Sequence, residues 1–101
     1  MNADKQRSKA VGYLRRALGA LDHELSCHSS GGGSVGSPEQ VRLVRDELAT
    51  ALGRLDDAAP PLARLRSGRI VADSWPFDSD LSDLVLGAVQ SYEEYTKSVA
   101  V

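Results

Sequence analysis

Apolar side chains recur at helical spacing in three stretches of this chain. Val11, Leu14, Leu18, Leu21 and Leu25 alternate steps of three and four, which stacks them into one narrow seam. Lys9, Arg15, Arg16, Asp22 and Glu24 fall off that seam, so the pattern predicts an amphipathic helix over about residues 4–26. Such a helix is not stable alone in water, and its seam must meet other helices. Gly12 and Gly19 interrupt it, each costing about 1 kcal/mol relative to Ala, and are expected to mark close helix approach.

The second stretch has the best-marked start. Ser37 reads as an N-cap, Pro38 takes the first helical position where no amide hydrogen is needed, and Gln40 completes a capping box. Val41, Val44, Leu48, Ala51, Leu52 and Leu55 then line one face, with Arg42, Arg45, Asp46, Glu47 and Arg54 outside it. Pro60-Pro61 ends this helix near residue 58, because the residue before a proline is pushed out of helical geometry. The third stretch, over about residues 79–98, carries a wider stripe of Leu81, Leu84, Val85, Ala88, Val89, Tyr92, Tyr95 and Val99. Asp80 and Asp83 suit its positive first turn.

The intervening segments are less regular. Ser29 to Ser37 is a Gly/Ser-rich run with the composition of flexible coil. Pro60-Pro61 can start a short helical turn near residues 61–67, through Leu62 and Leu65, stopped by Gly68. Ile70-Val71-Ala72 is too short to classify, and Asp73 to Asp78 reads as an irregular connection. There is no internal repeat and no convincing strand pair. The expected fold is a single all-α domain over residues 1–101. It is a three-helix bundle, made of a helical hairpin with a long Gly/Ser loop plus a packed third helix. The unequal seams leave apolar surface that a homodimer would bury.

Composition agrees with helix. The chain has 101 residues with thirteen Leu, nine Val and one Ile, and unbranched side chains lose less rotamer freedom in a helix. Net charge is −2, unevenly spread: residues 73–101 carry Lys97 against six acidic groups. A globally basic nucleic-acid footprint is therefore absent. One cysteine, Cys27, excludes an intrachain disulfide scaffold. The polar N-terminus lacks the apolar stretch of a signal peptide, and Leu84 to Val89 is too short to span a bilayer. A bacterial-type cytoplasmic location without membrane attachment is the default expectation.

Chemistry-bearing residues are sparse. His23 and Cys27 are four apart, so a helix stacks them on one face, with His28 beside them. A closed metal site needs more ligands than this, and a frayed helix end with exposed imidazoles is the simpler reading. His23-Glu24-Leu25 also resembles the opening of the phosphoacceptor box of dimeric histidine kinases, a resemblance of three residues. It implies a phospho-relay role, but the residues that follow depart from the box. The glycines before Ser37 precede a helix N-terminus that could hold a phosphate, yet the strand and the Lys-Ser/Thr ending of a P-loop are missing.

Leu62 to Arg69, with Arg64, Arg66 and Arg69, resembles the end of the recognition helix in helix-turn-helix repressors of the Cro and phage-repressor kind. Val41 to Leu48 is similar to that family's first helix. The resemblance implies a DNA-binding regulator reading through Arg64–Arg69, whereas the residues themselves read first as solvated surface charges. Trp75-Pro76-Phe77 reads first as a plug for one end of the bundle and second as an exposed anchor for a partner.

No catalytic constellation and no cofactor motif emerges. The expected function is a small, non-enzymatic interaction module of adaptor, antitoxin or immunity type, binding a protein partner or itself. Candidate partner-binding residues are Trp75, Phe77, Asp80, Asp83 and Tyr95.

Overall fold

The computed structural model describes residues 2–29, 37–57, 65–75 and 79–99, and every regular element among them is an α-helix. Four helices follow one another: α1 (Asn2–Ser29), α2 (Pro38–Asp56), α3 (Ser67–Ser74) and α4 (Asp80–Val99). The all-α expectation holds, and where three helices were expected the described residues form four. The long helices lie close to their predicted spans, α1 extending further at both ends. The Gly/Ser stretch 30–36, most of the turn expected over 61–67, and residues 76–78 lie outside the described residues.

The additional helix, α3, takes up Ile70-Val71-Ala72 and the Asp73-Ser74 pair that reads as irregular. Its short length hides it from periodicity. Only Ser67 and Val71 of its eight residues are buried, one of them polar, so no apolar stripe accumulates. Gly68 does not stop a turn but lies inside α3. A Cβ there would come 3.3 Å from Val89 Cγ1, so this glycine lets α3 sit close on α4.

α1 runs antiparallel to both α2 and α4. Near its start, Arg7 Nη2 donates to the carbonyl of Leu55 at the end of α2 (2.7 Å); further along, Arg45 Nε donates to Asp22 Oδ1 (2.7 Å). That carboxylate also holds the exposed Arg45 guanidinium above its ordinary pKa, through the hydrogen bond first and its charge second. On the other side, Lys9 pairs with Glu94 (3.8 Å) and the Tyr13 ring lies over Gly87. α3 spans α2 and α4, giving an up-down-up-down order in which the third helix is only two turns long. At about 1.5 Å per residue α1 is about 42 Å long, which accounts for most of the 45 Å longest dimension.

One core joins all four helices. On α1 its deepest members are Ala10, Leu14, Ala17 and Leu21, while Val11, Leu18 and Leu25 are half-buried. The leucine seam is thus one edge of a wider face whose other edge is alanine. A wide face explains how α1 contacts two neighbours. Full burial of Leu14, Leu21 and Leu48 contributes about 1.5–3 kcal/mol each.

The expectation for Gly12 and Gly19 is also corrected. A Cβ on either would meet nothing within 4 Å, and the same is true of Gly53. Close approach occurs instead at Gly87, where a Cβ would stand 2.9 Å from Tyr13 Cε1.

α2 is secured at both ends. Ser37 Oγ accepts from the Gln40 amide (3.2 Å) and Gln40 Oε1 accepts from the Ser37 amide (3.4 Å), as the capping-box reading expects. At the far end, Arg7 satisfies one of the carbonyls a helix terminus leaves open. Among the described residues, no helix is long and apolar enough to cross a membrane.

Candidate functional site

Two polar anchors fix α3 against α2. Glu47 Oε1 accepts from both the Ser67 amide (2.8 Å) and the Ser67 hydroxyl (2.7 Å), so a carboxylate of one helix caps the start of another. At the other end, Trp75 Nε1 donates to Gln40 Oε1 (3.3 Å). Gln40 and Glu47 lie two turns apart on α2, and the turn between them carries Leu43 and Val44. Val44 is fully buried, whereas Leu43 is 44% exposed.

Leu43 forms one wall of an open groove between α2 and α3, with a volume of about 520 Å³. Leu65 and Ile70, both half-buried against the core, complete its apolar floor. Arg66, Arg69, Asp73 and Ser74 form the rim. Arg69 Nε pairs with Asp73 Oδ2 at 3.6 Å one turn along α3, both side chains being well exposed. Among the described residues Arg66 has no carboxylate partner. The site is therefore an apolar trough with one ion pair on its rim and, among the described residues, one guanidinium without a carboxylate partner.

The other candidate residues are dispersed. Trp75 is 4% exposed and belongs to the core. Asp80 and Asp83 are exposed in the first turn of α4, and Tyr95 is half-buried against the core. Phe77 and Arg64 lie outside the described residues. Arg66 and Arg69 come together on the groove rim. Residues 58–64, between α2 and α3, lie outside the described residues.

At the end of α1, Cys27 Sγ lies 3.7 Å from His23 Nε2, and His28 Nε2 lies 3.3 Å from Glu24 Oε2. These are two parallel i,i+4 pairs, offset by one residue and so by about 100° around the helix. No group of three or more His, Cys, Asp or Glu side chains that could hold a metal ion occurs among the described residues. A smaller hollow of about 350 Å³ opens nearby between Leu25, His28, Pro38 and Arg42.

Comparison with protein-family models, curated proteins and solved structures gave no match. Sequence reading misses Leu43, Ile70 and the Gln40–Glu47 anchors. One signal for Leu43 is present: it is a large apolar residue off the Val41–Leu55 stripe.

Proposed function

We propose that this chain is a non-enzymatic protein-interaction module of adaptor, antitoxin or immunity type, and that the α2–α3 groove is its recognition surface. One observation carries the reading: an open trough walled by Leu43, floored by Leu65 and Ile70 and rimmed by two guanidiniums. An exposed leucine held between anchored helices gives up hydration each time a partner covers it. The fitting partner segment presents an apolar side chain to the floor and a carboxylate to Arg66. Such a carboxylate gains a charge-assisted, forked hydrogen bond without displacing an ion pair among the described residues.

Quantitative capture from cells of the source organism tests this, with wild type, Leu43→Asp and Arg66→Glu as baits. Proteins held by wild type and lost with both variants are expected. Identical recovery by all three baits, each confirmed folded by circular dichroism, refutes the groove as the recognition surface.

A further inference from the structure

Leu43 has a counterpart. Among the described residues only two large hydrophobic side chains are exposed, Leu43 at 44% and Leu86 at 37%. Leu43 walls a groove, whereas Leu86 stands on an exposed ridge of α4 side chains. Asp83, Leu86, Gln90 and Glu93 follow one another at steps of three, four and three, and all are exposed. That spacing puts them on one helix face. Asp80 and Asp83 at the head of α4 and Glu93 further along have no cationic partner among the described residues. Lys97, also exposed, lies beyond Glu93.

Resting on the groove reading above, we infer that the partner in the groove is a second copy of this chain, inserted by its α4 ridge. Leu86 of one copy meets Leu43, Leu65 and Ile70 of the next. Asp83 or Glu93 faces Arg66 and Arg69. The charges are opposite, and each surface supplies what the other lacks. The lengths also match: Asp83 to Glu93 spans about 15 Å and the eight residues of α3 span about 12 Å. Groove and ridge are different patches of one molecule, so the contact is heterologous, and an open assembly of any length has one free groove at one end and one free ridge at the other unless it closes. The carboxylate–guanidinium component makes it salt-sensitive, because the Debye length falls from about 10 Å at 0.1 M to about 3 Å at 1 M salt.

Sedimentation velocity of the full chain, alone and in mixtures, tests the inference. Wild type is expected to self-associate with rising concentration, less so at high salt. Leu43→Asp and Leu86→Asp each place a carboxylate in the apolar contact, and each is expected to weaken association about tenfold or more. Both positions are exposed, and circular dichroism checks that each variant is folded. The deciding sample is the equimolar mixture. Leu43→Asp keeps an intact ridge and Leu86→Asp an intact groove, so together they form a one-to-one complex that neither forms alone. Three results overturn the inference: a wild type that stays monomeric, variants that associate as wild type does, or a mixture as monomeric as its components. If self-association fails while Leu43-dependent capture of another protein succeeds, the second copy is excluded and the groove remains a recognition surface.

Discussion

Replacing Gly87 with alanine sets two opposing effects against each other at the α1–α4 contact. Alanine in a helix interior is favoured over glycine by about 0.8–1.0 kcal/mol. Against this, the new Cβ would stand 2.9 Å from Tyr13 Cε1 and 3.1 Å from Cδ1, where carbon atoms in good contact keep about 3.5–4.0 Å. The ring must therefore retreat by about 0.5–1 Å to restore that separation. Tyr13 is half-buried against the core, and the Arg16 guanidinium lies 4.8 Å from its ring centroid, so its retreat disturbs packing on both sides. Overpacking of this kind costs about 1–3 kcal/mol. The net expectation for Gly87→Ala is a loss of about 0–2 kcal/mol.

Gly19→Ala and Gly53→Ala are internal controls, because nothing lies within 4 Å of either new methyl group. Each is expected to gain about 1 kcal/mol. With about 4–8 °C in Tm per kcal/mol for a domain of this size, Gly87→Ala should melt roughly 5–20 °C below Gly19→Ala. Thermal and urea denaturation followed by far-UV circular dichroism measure this directly. A double-mutant cycle with Tyr13→Ala should assign the penalty to that one contact. If Gly87→Ala stabilises as much as Gly19→Ala, the close approach of α1 and α4 at this point is refuted.

Three further substitutions probe how the helices are held. Ser37→Ala removes the acceptor for the Gln40 amide and should lower the urea-derived stability by about 1 kcal/mol, the usual worth of an N-cap; an unchanged midpoint would contradict the capping role. Glu47→Ala leaves the buried Ser67 hydroxyl and its amide without their shared acceptor, an expected loss of about 1–3 kcal/mol. Because Trp75 is buried at the other end of α3, its emission should also shift to the red as α3 loosens; an unmoved spectrum would show that Glu47 does not hold α3. Arg7→Met keeps most of the apolar stem but deletes the donor to Leu55, and should cost about 1 kcal/mol. Faster amide exchange confined to the last turn of α2 would identify that loss, and uniform exchange would argue against it.

The three long helices were legible in the chain's pattern alone, because a 3.6-residue period is a local property that needs no knowledge of neighbours. The start of α2 was legible too, since Ser37, Pro38 and Gln40 act on one another within a single turn. What the pattern left undecided is what fills the space beside each helix. The leucines of α1 marked the phase of its buried face but not its width, because Ala10 and Ala17 carry little pattern signal until two helices close over them. Which glycine admits a neighbour was decided by Tyr13, a residue on a different helix from Gly87. α3 and the groove belong wholly to the tertiary structure. α3 is held by Glu47 and Gln40 from α2 and by contact with Val89 from α4, contributions distant in sequence that no local spacing encodes. Leu43 shows the division within one residue. Its place off the apolar stripe of α2 was legible, but only the docking of α3 beside it turned an exposed leucine into the wall of a groove.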